Sequence, residues 1–261
     1  MEEKNTTNKL TGFGELFLKG IPIGLSNTLP GISGGTLALV LGIYDQLVNG
    51  IKKIRLQVLI PIFLGAVTGV LSGSKIVTSL LETNPSVVKA FLLGLIIASS
   101  KVTYDQVKQV NLKTIILGII GLVVAFIFSV ELGGAGDVTT LSWTRLFLGG
   151  AVGSVAMILP GVSGGTILIM LGLYQGVLEA IVNFNFPVMI VFGLGVGSGL
   201  LSFSFVLSYL LDNYRSLLMS FLTGLILGSM RSVMSFNLGV EEILGFLLGV
   251  GVIYAISGIE D

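Results

Sequence analysis

Two short stretches of this chain set hydroxyl side chains beside glycines in an order suited to holding an oxyanion. Leu29-Pro30-Gly31-Ile32-Ser33-Gly34-Gly35-Thr36 returns 130 residues later as Leu159-Pro160-Gly161-Val162-Ser163-Gly164-Gly165-Thr166. Gly42-Ile43-Tyr44 returns at the same offset as Gly172-Leu173-Tyr174. Each stretch leads into an apolar segment, so a short helix is expected to start near Gly35 and near Gly165. The first N–H groups of a helix have no internal partner and carry partial positive charge. Glycines let a ligand approach the backbone, and Ser and Thr add hydroxyl donors. That construction suits a phosphate or a carboxylate. The candidate contacts are Pro30, Gly31, Ser33, Gly34, Gly35 and Thr36, with Pro160, Gly161, Ser163, Gly164, Gly165 and Thr166 opposite. Asn27 precedes the first motif where Met157 precedes the second, so Asn27 is a candidate on one side only. Helix capping is the plainer role for Ser33 and Thr36; the repetition of the loop in an apolar chain favours ligand contact. A cation site made of loop carbonyls has less support, because no acid accompanies either loop.

Charged residues in register extend the list. Lys101 aligns with Arg231 across the same offset and keeps its charge. The two could receive an anion at entry and exit. As helix-end cations they would instead complement the dipole and snorkel to headgroups. Lys75 interrupts an apolar span. Glu15 aligns with Arg145, an opposite-sign pair at the hairpin entries. Tyr44 and Tyr174 read as interfacial anchors.

The elements that position these residues are membrane elements. Apolar residues make up 53% of the chain and charged residues 11%, far below the share in soluble domains. Fourteen cations balance fourteen acids, and no basic block suggests nucleic acid. The absence of Cys and His removes disulfides, thiolate or imidazole metal sites, their nucleophiles and the usual proton shuttle. No metal or cofactor is expected. The polar start, 1–12, lacks the compact apolar run of a signal peptide. Residues 56–81, 86–100 and 114–130 are candidate spans, the second of them short; 187–211, 216–230 and 243–257 repeat the set. The arms around each Pro-Gly motif, 13–28 with 34–44 and 147–158 with 164–174, are short of a full crossing. Each pair is expected to dip in and return. Lipid offers no partner for broken backbone, so such segments survive where they line a cavity.

The duplication reaches beyond the motif. Gly65 aligns with Gly195, Gly69 with Gly199, Glu82 with Asp212 and Phe91-Leu92 with Phe221-Leu222. Gly65, Gly69 and Gly73, at four-residue spacing, mark a face for close helix packing. An odd number of crossings per copy sends the second copy in from the opposite side. Lys52, Lys53 and Arg55 become Val182, Asn183 and Asn185, and Lys108 and Lys113 become Leu238 and Ile243. Basic loops favour the cytoplasm, so both termini are expected there. The fold class is therefore an all-α integral membrane protein of two inverted-topology repeats, each a re-entrant helical hairpin plus about three transmembrane helices. Repeat one covers about 13–130 and repeat two about 143–258, within a single membrane domain, 1–261. Paired Gly/Pro-interrupted segments in two halves point to a transporter site.

The two copies of L-P-G-[IV]-S-G-G-T followed by G-[IL]-Y resemble the polyprenyl-phosphate transporter family of bacteria and archaea, over essentially the whole chain. The resemblance implies a cell-membrane protein that returns undecaprenyl phosphate from the outer to the inner leaflet, recycling the lipid carrier for wall polymers. The residues alone imply only an anion-handling transporter, and a carrier or channel for a small soluble anion is the alternative. A membrane enzyme acting on lipid phosphates is disfavoured by the missing His and the lack of clustered acids. With no P-loop present, drive must come from a gradient or metabolic pull. The partner ion, H+ or Na+, is not legible; Glu15, Glu131 or Glu179 could carry a proton.

Overall fold

Long apolar runs closed by polar turns give only helices over the described residues, which in this computed structural model are 12–29, 31–129, 142–234 and 239–257. The first half comprises α1 (Phe13–Ser26), α2 (Gly34–Val40), α3 (Tyr44–Lys52), α4 (Leu56–Thr83), α5 (Pro85–Tyr104) and α6 (Leu112–Phe128). The second comprises α7 (Trp143–Ile158), α8 (Gly164–Met170), α9 (Tyr174–Val182), α10 (Phe186–Asn213), α11 (Arg215–Gly228) with a 3-10 turn (Ser229–Val233), and α12 (Val240–Ser257). Helices α2, α3 and α4 start and stop 130 residues ahead of α8, α9 and α10. The backbone repeats as well. Positive φ occurs at Gly31 and Gly161 (80° and 75°), Gly42 and Gly172 (67° and 66°), and Ile54 and Phe184 (49° and 51°).

Those turns explain where the sequence reading fell short. The arm expected as one piece over 34–44 breaks at Gly42. The left-handed residue there lets Ile43 N–H reach Ala38 O at 3.0 Å and Gly42 N–H reach Leu39 O at 3.1 Å, closing α2 after two turns. Leu173 and Gly172 close α8 in the same way. Helix α9 then leaves α8 at 109°. Helix α5, expected as a short span over 86–100, has 20 residues. Its last turn continues through Lys101, and the Thr103 hydroxyl returns to Ser99 O at 2.9 Å.

Among the described residues, five helices, α4, α5, α10, α11 with its 3-10 turn, and α12, are long and apolar enough to cross a membrane, and the bent pair α8–α9 makes a sixth if it counts as one span. At about 1.5 Å per residue, the 28-residue α4 and α10 reach about 42 Å, a full crossing with tilt. Helix α1 lies along α4, and α7 along α10. A Cβ at Gly65 or Gly69 would overlap Phe17 O or Ile21 O on α1, and at Gly195 or Gly199 it would overlap Phe147 O or Ala151 O on α7. The glycine face thus serves helix packing, as its spacing suggests. The closing helices are exchanged: α6 packs on α11 and α12 packs on α5.

Candidate functional site

The two motif loops meet. Helix α2 sits among α1, α3, α5, α7 and α12, so the start of α2 lies against the end of α7. Ser33 caps α2 conventionally, its Oγ accepting from Thr36 N–H at 3.3 Å. The same hydroxyl accepts from Gly161 N–H at 3.0 Å, and Thr36 Oγ1 accepts from Gly161 N–H at 3.2 Å. Ser33 also donates to Leu159 O at 3.3 Å. Tyr44 Oη donates to Ile158 O at 3.3 Å. The hydroxyls of the first loop are therefore spent on the backbone of the second. Ser33 and Thr36 are 6% and 2% exposed. The sequence reading of Tyr44 as an interfacial anchor is corrected: at 2% exposure it is a buried strut between the loops.

The second loop does not reciprocate. Ser163 caps α8 with the same geometry, accepting from Thr166 N–H at 3.3 Å. Ser163 is exposed, however, and Gly164, Gly165 and Thr166 are half-buried. Among the described residues, the Thr166 hydroxyl has no hydrogen-bond partner. Tyr174 is 40% exposed, without the strut that Tyr44 makes. A Cβ at Gly35 would stand 2.6 Å from Ile158 O, whereas at Gly165 its nearest neighbour would be Ser163 Oγ at 3.7 Å. Asn27 widens the difference. Its Oδ1 accepts from Gly34 N–H at 3.3 Å, filling one of the unpaired donors of α2. Met157 has no acceptor to offer Gly164. The donors left open are those of α8: the N–H groups of Gly164 and Gly165 and the hydroxyls of Ser163 and Thr166. Because α8 has seven residues, the attraction for an anion comes from these local dipoles rather than a long helix.

The remaining candidates lie as follows. Gly31 and Gly161 take the left-handed turns, packed against Ser232 and Leu225 respectively. Pro160 is buried beside Gly35. Pro30 and Glu131 lie outside the described residues. Lys101, in the last turn of α5, places Nζ 2.6 Å from Asp105 Oδ2. Arg231 donates from Nη1 to Phe126 O at 2.9 Å, with its guanidinium 4.3 Å above the Phe126 ring. Neither cation has a partner in either loop, and both do helix-end work in this conformation. Glu15 pairs with Lys19 at 3.1 Å. A cavity of about 280 Å³ between α6 and α11 is mainly apolar, lined by groups such as Ile115, Leu122 and Leu227, and its Thr114, Ser220 and Thr223 hydroxyls donate to nearby backbone carbonyls. Among the described residues no three metal-ligating side chains gather.

Sequence reasoning missed one polar cluster. Helix α3 docks on α10 of the other half. Arg215 Nη1 donates to Asp45 Oδ2 at 2.7 Å, and its Nη2 donates to Gln106 Oε1 at 2.9 Å. Lys52 donates to Ser208 Oγ at 2.9 Å, Ser208 donates to Asn49 Oδ1 at 3.3 Å, and the Lys52 ammonium lies 5.6 Å from the Phe205 ring. The available signal was the loss of Asp45 and Lys52 at the equivalent positions Gln175 and Val182. The change at Lys52 was read as topology alone, and the change at Asp45 was not used.

A family profile described as VCA0040-like, undecaprenyl phosphate translocase-like, matches residues 23–244. A polyprenyl-phosphate transporter of Vibrio cholerae is 33% identical over 252 residues, covering 86% of this chain and 79% of that protein. A protein of the same name from Staphylococcus aureus is 34% identical over 241 residues, covering 83% and 84%. No solved structure matches. With five or six apolar span candidates and relatives that are transporters, this is a multi-pass membrane protein, and the chain belongs to the VCA0040-like, undecaprenyl phosphate translocase-like family.

Proposed function

We propose that the protein carries polyprenyl phosphate, undecaprenyl phosphate in particular, from the outer to the inner leaflet of a bacterial or archaeal cell membrane, without catalysing a reaction. The observation that carries this reading is the pair of equivalent loops in unequal states, one closed upon the backbone of the other and one with its donors free. The names of the relatives supply the substrate class. The isoprenoid tail can stay in lipid throughout, so only the phosphate must cross. Moving a bare anion through hydrocarbon is prohibitive unless donors replace its water. The open Ser163–Thr166 loop would accept the phosphate, and the Ser33–Thr36 loop would take it after the halves rock. Lys101 and Arg231 would guide the headgroup at each face once freed from their present partners.

Inverted repeats within one membrane domain are part of the proposal. Odd crossings per copy and the cations Lys52, Lys53 and Arg55 beside α3 support a first hairpin re-entering from the cytoplasm and a second from outside. The open loop would then face outward. Drive would come from H+ or Na+ or from consumption of the product. Single cysteines at Lys53 and Asn183 are expected to label from opposite sides, and labelling from one side would refute the inverted arrangement. For the activity, proteoliposomes receive labelled undecaprenyl phosphate in one leaflet, and the protein should accelerate its exchange. Exchange at the protein-free rate, or transport of inorganic phosphate instead, sinks the lipid reading.

A further inference from the structure

Lys75 and Glu179 are charges in apolar helices that have no partner among the described residues in this conformation. Lys75 lies on α4 about two turns from its end, and Glu179 lies on α9; both are exposed. Neither makes a hydrogen bond or ion pair among the described residues. A charge left against hydrocarbon is costly unless it pairs or reaches water. Their positions have occupied equivalents in the other half. The counterpart of Glu179 is Asn49, and that of Lys75 is Phe205. Asn49 and Phe205 flank one junction, because Asn49 binds Ser208 while Phe205 lies under the Lys52 that also binds Ser208. That junction is where α3 docks on α10. Helix α9 makes no comparable contact with α4.

We infer that α9 docks on α4 in the alternate conformation and that Lys75 and Glu179 form an ion pair there, closing the side of the molecule that is open now. The inference rests on the transport reading above. Applying the 130-residue equivalence to the observed junction puts Glu179 beside Thr78, as Asn49 is beside Ser208, with Lys75 at the same place. The chemistry is exchanged between helices. On the closed side the cation, Lys52, belongs to the short helix and meets a hydroxyl and a ring. On the open side the cation belongs to the long helix and the short helix brings the acid, while Val182 replaces Lys52. Charge is thus lost at 182 and gained at 75 and 179, so each junction keeps its own polar closure. The Asp45–Arg215 pair has no such echo, since Gln175 and Pro85 stand at its equivalents. The two closures are therefore built from different residues and can be altered separately. Lys75 and Glu179 are positioning residues: they set the balance of conformations and touch no substrate.

The native chain contains no Cys, so introduced pairs can be read cleanly in proteoliposomes. Asn49→Cys with Ser208→Cys reports the closure seen here. Lys75→Cys with Glu179→Cys reports the inferred one, and Thr78→Cys with Glu179→Cys is a second version should the first fold poorly. Oxidation is expected to form a disulfide in each pair, to stop exchange of labelled undecaprenyl phosphate, and to be reversed by reductant. Lys75→Glu and Glu179→Lys should each slow exchange at least roughly threefold, with the double reversal recovering most of the rate. Failure of both 179 pairs to cross-link where 49–208 does, in protein that exchanges the lipid, overturns the pairing and leaves the transport reading standing. Cross-linking at 179 in folded protein that moves no lipid phosphate supports the pairing and removes the lipid reading. A double reversal no faster than the slower single variant also overturns the pair.

Discussion

Ser33 and Ser163 cap equivalent seven-residue helices through the same bond, yet one is sealed inside the protein and the other stands in the open. Around Ser33, three hydroxyls grip the backbone of the second loop, and Asn27 covers an additional N–H. Around Ser163 the same set of groups is free. Identical local sequence thus fixes the cap and the turn, while contacts from distant helices decide whether the donors are available. Among the described residues, α2 is packed against five neighbouring helices and α8 chiefly against α7 and α9, and this is what separates the two states.

The sharpest way to break this contrast is at the glycines. Gly161→Ala places a side chain at φ 75° and drives its Cβ into Leu225 O, whereas Gly165→Ala meets nothing closer than 3.7 Å. The first should cost about 2 kcal/mol or more of stability and the second about 0.5 kcal/mol or less. Equal thermal stabilities for the two would contradict the packing. The tyrosines come next. Tyr44→Phe removes a buried bond to Ile158 O and should cost about 1 kcal/mol, while Tyr174→Phe leaves stability unchanged; chemical denaturation of purified protein separates them. Serine substitutions sharpen the functional side. Ser33→Ala is expected to loosen the closed loop, and Ser163→Ala to weaken binding of lipid phosphate by about 1 kcal/mol, with a loss of stability of about 1 kcal/mol or less from the α8 cap. Binding that is equally sensitive to both would mean that the closed loop is not closed in the membrane. The smallest effects are expected at the conserved-register cations. Lys101→Gln removes an exposed pair with Asp105 and should leave the melting temperature in place, so a fall in exchange rate per folded molecule would assign Lys101 to the phosphate path. Arg231→Gln should behave alike, with a small loss of stability from the Phe126 carbonyl contact.

Much of the fold was legible because its signals are local. Glycine and proline punctuate α2 and α8, apolar length marks α4 and α10, and one numerical offset relates the halves. The helix starts expected near Gly35 and Gly165 fall one residue earlier. The break at Gly42 was missed although its sequence, Gly-Ile-Tyr, was noted, because a C-terminal glycine cap resembles any other glycine in a membrane chain until its φ is known. Tyr44 and the Asp45–Arg215 pair were hidden for another reason: their partners lie 114 and 170 residues away. Nothing in a symmetric motif says which copy will be found closed. That asymmetry belongs to tertiary packing and to Asn27, where the second copy has Met157.

The exchange of closing helices carries a consequence for how the chain is made. Helix α6 has its broad packing surface on α11, which begins about ninety residues downstream. At ordinary synthesis rates that partner arrives on the order of 4–20 s later. Until then α6 must wait in lipid with the glycine groove at Gly121 unfilled, and α5 waits longer still for α12. The first half is thus an incomplete object on its own. A gene cut between the halves should yield little stable product from either piece, and co-synthesis of both should restore it. The two halves carry similar sequences, but the block formed by α5, α6, α11 and α12 belongs to neither half alone and exists only once the last helix has been delivered.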